Sequence, residues 1–217
     1  GEKIRSTFGR QALPMVWDFA ETNVYSESTG GWAAMLSWVA KVVDRFDSSI
    51  PGQVSQVDAR TIDTPAVIAT DPPYYDNIGY ADLSDFFYVW LRRSMKDMYP
   101  DLFATMVTPK STDLIATPYR HEGSKAAAEQ YFEDGFVEVF QRCSEVNPKD
   151  FPMTLFYAFK QTETSEEGTV ATGWSTMLEG LLASGWMVTA TWPMRTEMSS
   201  RMVGQGTNAL ASSIVLA

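Results

Sequence analysis

The stretch AVIATDPPY, residues 66–74, decides how the fold of this 217-residue chain is interpreted. Its first five residues are apolar or β-branched, which predicts a short buried strand. The strand ends at Asp71, because the two prolines that follow cannot donate hydrogen bonds to a sheet and restrict the backbone before them. In α/β proteins ligands gather beyond the carboxyl ends of strands, so this junction is a candidate binding site.

The four residues after the strand, Asp71-Pro72-Pro73-Tyr74, suit a pocket for a planar amine. The Asp71 carboxylate and the Pro72 carbonyl are acceptors, and each can take one N–H of an exocyclic amino group. The nitrogen lone pair would then point toward an incoming methyl group. Tyr74 offers a flat face on which an extruded base can stack. The simpler interpretation is a turn that ends the sheet, with Asp71 as a cap.

Asp-Pro-Pro-Tyr at a strand end resembles the signature of S-adenosylmethionine-dependent amino-methyltransferases of DNA. Over most of its length, the chain is similar to the catalytic region of large prokaryotic proteins classed as adenine-specific DNA methylases. The similar segments are residues 10–21, 71–90, 157–161, 191–193 and 207–213. The resemblance implies a Rossmann-like methyltransferase fold, S-adenosylmethionine as cofactor, and methyl transfer to N6 of adenine in DNA.

The resemblance also implies which residues form the site. In the family an Asp-Ala pair shortly before the catalytic strand contacts the adenine of the cofactor, and Asp58-Ala59 occupies that place. The implied residues are cofactor-binding Asp58 and Ala59, and catalytic Asp71, Pro72, Pro73 and Tyr74. Beyond the signature, Tyr75 and Tyr80 could help to wall the pocket or could pack under the next helix. Lys160, at a later strand end, is interpreted as a surface lysine.

The chain departs from the family in one respect: the glycine-rich loop that holds the cofactor is absent. The candidates Gly30-Gly31 and Gly204-Gln205-Gly206 neither follow a buried strand nor open a helix. We therefore expect the chain to be a catalytic fragment of a longer polypeptide or complex, and to be inactive by itself.

Composition indicates a globular protein in the cytoplasm. With 45% hydrophobic residues, the chain can bury one sizeable core. The single Cys143 excludes an internal disulfide, and with only one histidine, His121, a structural zinc site is not expected. No stretch approaches the ~20 apolar residues of a membrane span, and no basic-then-apolar leader pattern is seen, so we expect a protein that is neither membrane-bound nor exported.

The formal charge of −10 argues against strong DNA binding by this chain alone. Autonomous DNA-binding proteins usually carry a basic face that displaces counterions from phosphates. We therefore expect the parent protein to supply most DNA contacts. The basic residues that could line a strand path are Arg92, Arg93, Lys96, Lys110, Arg120, Lys125, Arg195 and Arg201. For any single one, a solvated face or an ordinary ion pair is the commoner explanation.

Hydrophobic periodicity predicts an α/β fold with a mainly parallel, doubly wound sheet, incomplete in this chain. An N-terminal helical segment, 1–52, precedes an α/β core, 53–217, with an inserted loop at about 101–123. This loop could fold over the target base or could equally be a surface excursion. The predicted helices cover residues 32–46, with a wide buried stripe, 83–98, 132–143 and 174–183. The predicted strands cover 66–70, 153–159, 186–192 and 213–216, the last to pair.

Two alternatives to adenine methylation stay open. The first is methyl transfer to cytosine N4, to RNA or to a protein glutamine amide, whose N–H groups could donate to the same oxygen atoms of Asp71 and Pro72. A non-catalytic interaction module of a larger modification or defence complex would account for the missing glycine loop and the acidic charge.

Overall fold

The chain forms two compact units, residues 1–55 and 56–217. The computed structural model describes residues 23, 25–27, 29–46, 50–76, 78–160, 172–194 and 210–217. The predicted helix of the first unit is present as α1, Trp32–Arg45. The prediction that its apolar stripe is buried is wrong, because no residue of α1 is buried. Periodicity identifies the apolar face of a helix, but it does not supply a partner for that face.

The described residues of the second unit form three α-helices and four strands. In chain order these are β1 (Ala69–Thr70), α2 (Tyr80–Met95), α3 (Lys125–Val146), β2 (Thr154–Lys160), α4 (Thr172–Ala183), β3 (Thr191–Met194) and β4 (Leu210–Leu216). Short 3₁₀ turns cover Ala59–Thr61 and Pro118–Arg120. The second, third and fourth predicted helices are therefore confirmed. No helix in the described ranges is both long and apolar enough to cross a bilayer.

The four strands form one mixed sheet in the order β1-β2-β4-β3. β1 runs parallel to β2, whereas β4 is antiparallel to both β2 and β3. A mixed α/β architecture is therefore confirmed, but the sheet of the described residues is not mainly parallel in its pairings. The reason is that β4 lies between β2 and β3 and reverses direction there. Strand direction depends on non-local pairing, which an apolar run such as Ile214-Val215-Leu216 does not specify.

β1 is shorter than predicted because a side chain replaces part of its ladder. The Ile68 N–H donates to Asn147 Oδ1 at 3.0 Å, and the Thr154 N–H donates to the Ile68 carbonyl at 3.0 Å. Only Ala69 and Thr70 then pair as a strand. β3 begins later than predicted, at Thr191, and holds a proline.

The core lies between one face of the sheet and helices α3 and α4. Leu155 and Tyr157 of β2 point to this face and join the core cluster. The other main members are Phe132, Phe136, Phe140, Cys143, Met177, Leu181 and Leu216. Burial of Cys143 in the third helix is thus confirmed. Phe156 alternates with these residues, points to the opposite face and is 39% exposed. The doubly wound arrangement, with helices on both faces, stays a prediction.

Candidate functional site

A cavity of about 630 Å³ opens beside the end of β1. Its lining comes from residues 56–60, residues 70–73, the first turns of α2, residues between 108 and 114, and one face of α3. The volume is in the usual range of small-molecule sites. Five of the six predicted site residues line this cavity: Asp58, Ala59, Asp71, Pro72 and Pro73. The structure thus brings the predicted cofactor residues and the predicted acceptor residues to the same place.

Asp71 stands at the carboxyl end of β1, where the chain leaves the sheet. Its side chain is exposed, and its Oδ1 accepts a hydrogen bond from the Tyr74 hydroxyl at 2.6 Å. This bond fixes one oxygen of the carboxylate, which has a second oxygen and further lone pairs for a ligand. Pro72 and Pro73 are half-buried and hold the backbone in an extended exit from the strand.

Tyr74 does not line the cavity, in contrast to the other three signature residues. Its ring packs edge-on against Tyr157 of β2, with centroids 5.6 Å apart and planes at 78°. Burial, and then the hydrogen bond to Asp71, raises the pKa of the Tyr74 hydroxyl. Tyr74 is therefore a protonated donor toward Asp71. Its predicted role as a stacking platform stays a prediction.

Tyr75 anchors the end of the signature in the core. Its backbone φ is +55°, a left-handed conformation that costs a non-glycine residue energy. Three contacts hold it there: its ring packs edge-on against Phe132 at 5.2 Å, its hydroxyl donates to Glu129 Oε1 at 2.7 Å, and its carbonyl accepts from the Ala116 N–H at 3.2 Å. Tyr75 is thus buried against α3 and does not line the cavity.

Asp58 is part of a tight ion pair with Arg60. The carboxylate accepts from the Arg60 backbone N–H at 2.9 Å, from Nε at 3.0 Å and from Nη2 at 2.6 Å. The side-chain hydrogen bond from Arg60 lowers the pKa of Asp58. Arg60 also lies 3.6 Å from Glu138 of α3, and the Arg142 Nε donates to the Ile62 carbonyl. A ligand here meets an Asp58–Arg60 unit. Sequence reasoning did not identify Arg60.

Polar contacts fix the predicted loop, residues 101–123, as one wall of the cavity. Asp85 of α2 accepts from the Thr108 N–H at 2.8 Å and from Lys110 Nζ at 2.6 Å. The hydrogen bond from Lys110 lowers the pKa of Asp85. Arg120 bridges Asp82 of α2, at 2.8 Å, and Asp113 of the loop, at 3.0 Å. These contacts attach the loop to α2, so that its residues Thr108 and Asp113 line the cavity.

Three of the basic residues considered for a nucleic-acid path form ordinary ion pairs with acidic side chains. Lys110 and Arg120 have the acid partners just described, and Lys125 Nζ lies 3.6 Å from Glu129. A fourth, Arg92, donates from Nε to the Phe103 carbonyl at 3.2 Å. Arg195, Arg201 and the Lys160 side chain lie outside the described residues, as do Asn77 and the second glycine candidate, residues 204–206.

Neither a protein-family model, nor a curated protein, nor a solved structure matches this chain. The functional argument therefore depends on the signature and on the geometry of the cavity. Within the described ranges, no group of three or more histidine, cysteine or carboxylate side chains could hold a metal ion.

Proposed function

We propose that this chain is the catalytic region of an S-adenosylmethionine-dependent methyltransferase that modifies an exocyclic amino group, with N6 of adenine in DNA as the leading acceptor. The observation that carries the proposal is that Asp58, Asp71 and Pro72 line one cavity of about 630 Å³. The mixed sheet is compatible with a Rossmann-like methyltransferase fold, whose remaining parts a longer protein would supply. In a prokaryote, whose proteins the chain resembles, a DNA substrate would place the protein in the cytoplasm.

The acceptor half of the cavity suits an amine because it offers acceptors at the end of β1. Asp71 and the Pro72 carbonyl would each accept one N–H, which leaves the nitrogen lone pair directed at the methyl donor. The Tyr74 hydroxyl, 2.6 Å from Asp71 Oδ1, keeps the carboxylate from rotating. Much of the rate enhancement would come from this positioning, since it holds the nitrogen in line with the donor.

The other half of the cavity suits the adenosine part of the cofactor. The Asp58 carboxylate is held by Arg60 and retains lone pairs that could accept from ribose hydroxyls or an adenine amino group. Ala59 and Val139 add apolar surface that could contact a purine face. When bound, S-adenosylmethionine supplies a methyl group already activated on a sulfonium. The task of these residues is to bind and orient it.

Transfer of labelled methyl from S-adenosylmethionine to unmethylated DNA tests the proposal. The assay uses the 217-residue chain beside any longer protein that contains it. We expect label in N6-methyladenine with the longer protein and none with the 217-residue chain alone. Asp71→Ala should reduce transfer at least about 100-fold, because one of the two acceptors that position the amine is lost. Asp97→Ala removes an exposed acid in the turn that follows α2 and is the matched control. Near-normal turnover of the Asp71→Ala protein would refute the role of Asp71.

One observation favours a second acceptor class, the side-chain amide of a protein glutamine. The net charge is −10, and Lys110, Arg120 and Lys125 are paired with acids, so these three residues offer little positive charge to phosphates. A glutamine amide presents the same two N–H donors without a phosphate backbone. Label in protein substrates and none in DNA would select this alternative.

A further inference from the structure

We propose that Tyr157 of β2 is a positioning residue: it fixes the ring of Tyr74, and through that ring the Asp71 carboxylate at the end of β1. This inference rests on the proposed function and on the predicted stacking of the acceptor base on Tyr74. Tyr157 does not line the cavity, so its effect on methyl transfer would pass through Tyr74.

Tyr157 is firmly held in the core. It is 2% exposed, and its hydroxyl donates to the Gly173 carbonyl, in the first turn of α4, at 3.1 Å. Its ring also packs against Trp174, with centroids 5.8 Å apart. A Cβ at Gly173 would lie 3.2 Å from the Tyr157 hydroxyl oxygen, so α4 leaves this side chain little room. Tyr157 is therefore a fixed support for the Tyr74 ring that it contacts.

Tyr74 uses that support without losing a stacking surface. The two rings lie edge-on, with centroids 5.6 Å apart and planes at 78°. In such a pair no more than one face of either ring is covered, so Tyr157 leaves at least one face of Tyr74 uncovered. The Tyr74 hydroxyl donates to Asp71 Oδ1 at 2.6 Å, and Asp71 lines the cavity. The ring contact and the hydroxyl bond together select one orientation of the Tyr74 side chain.

The backbone of Tyr74 is held by other residues. The hydroxyl of Tyr80, which lines the cavity, is hydrogen-bonded to the Tyr74 backbone. The next residue, Tyr75, is anchored in the core by its contacts with α3. Loss of the Tyr157 ring should therefore release the side chain of Tyr74 and leave its backbone in place.

Tyr74 links two requirements of methyl transfer to an amine. Its ring would bear the face of the base, and its hydroxyl orients the carboxylate that would accept one N–H. A change in the angle of the ring would alter both at once and move the nitrogen out of line with the methyl donor. Misplacement by about 1 Å can cost about 100-fold in rate. The expected effect is thus on kcat, whereas the binding of the cofactor at Asp58 should be unaffected.

Methyl transfer by a longer protein that contains this chain tests the inference. Tyr157→Met keeps a large apolar side chain without a ring, and it should lower kcat about 10- to 100-fold with the KM for S-adenosylmethionine unchanged. Tyr157→Phe keeps the ring and should retain near-normal kcat. Tyr88→Met is the matched control, because Tyr88 is 7% exposed, its hydroxyl donates to the Thr105 carbonyl at 2.9 Å and its ring packs against Phe103. Tyr88 lies outside the cavity lining, so this variant should lose similar stability and keep its kcat.

A double-mutant cycle separates positioning from a merely structural role. If Tyr157 acts through Tyr74, Tyr157→Met should change kcat less than about twofold in a Tyr74→Leu protein, because the ring that it positions is absent. The same cycle on the dissociation constant of 2-aminopurine riboside, a fluorescent base analogue whose emission is quenched on stacking, needs no transfer. There Tyr157→Met alone should weaken binding about 2- to 10-fold. If Tyr157→Met does not fold, Gly173→Ala disturbs the Tyr157 hydroxyl, keeps the ring and enters the cycle instead.

The possible results separate this inference from the proposed function. Effects of Tyr157→Met and Tyr74→Leu that multiply, or a Tyr157→Met protein with wild-type kcat, overturn the role of Tyr157 alone. A wild-type protein that neither transfers methyl to DNA nor binds the nucleoside overturns the adenine acceptor, and the role of Tyr157 with it.

Discussion

Replacing Asn147 by alanine should destabilise the second unit and loosen the strand that carries Asp71. Asn147 is 5% exposed and follows the last residue of α3. Its side chain accepts from the Ile68 N–H at 3.0 Å and donates to the Pro148 and Phe151 carbonyls at 3.1 and 2.8 Å. Each bond contributes roughly 1 kcal/mol net, so the loss of all three should lower the free energy of unfolding by about 3 kcal/mol.

Urea unfolding followed by circular dichroism measures this change. With an m-value of roughly 3 kcal/mol/M, the midpoint of Asn147→Ala should fall by about 1 M. Gln130→Ala is the matched control, because its amide makes an exposed bond to Asp134 at 2.8 Å. That variant should stay within about 0.5 kcal/mol of the wild type. If Asn147→Ala lost less than about 1 kcal/mol, water would be replacing the amide, and the side chain would not be a structural part of β1.

Three further predictions concern the walls of the cavity. Arg120→Ala leaves Asp82 and Asp113 without their common partner. It should lower the free energy of unfolding in urea by about 1–3 kcal/mol and speed amide exchange in residues 108–117. Unchanged exchange in these residues would contradict the attachment of the loop to α2. Gly135→Ala places a Cβ against the Leu114 side chain, which lines the cavity. The affinity of the protein for a nucleoside should fall more than its free energy of unfolding. A crystal structure of the variant with Leu114 unmoved would refute the prediction. Asp85 has a lowered pKa in the folded protein. The stabilising effect of its carboxylate is therefore complete above about pH 4 and disappears as the pH falls through the pKa of the folded state. Asp85→Asn should reduce the loss of stability between pH 5 and pH 3.

Hydrophobic periodicity predicted the helices well because the formation of a helix depends mainly on residues that are close in sequence. The stripe from Phe132 to Cys143 has helical spacing, and the same residues enter the core. Asp71 and Asp58, which the resemblance assigns to one site, line one cavity, and their roles stay predictions. In both cases a short stretch of chain contains the information that determines the local structure.

Features that depend on distant residues were not predictable in this way. The length of β1 depends on Asn147, which lies 79 positions from Ile68. The position of β4 depends on partners in β2 and β3. Arg60 is only two residues from Asp58, but the pair forms because a 3₁₀ turn begins at that point. Tyr74 packs against Tyr157, from another strand, and does not line the cavity, whereas Tyr80 does.

The position of β4 determines when the sheet can be completed. In the part of the chain that the structure describes, β3 pairs with β4 alone, which in turn pairs with β2. During synthesis β1, β2 and the helices between them emerge first, yet β3 cannot join them until residues 210–216 have been made. Until then one edge of β2 offers unpaired backbone groups to other chains, and such edges promote aggregation. Pairing of β4 is therefore the step that joins β3 to β2 during folding, and a ribosome-bound chain that still lacks β4 should depend most strongly on chaperones.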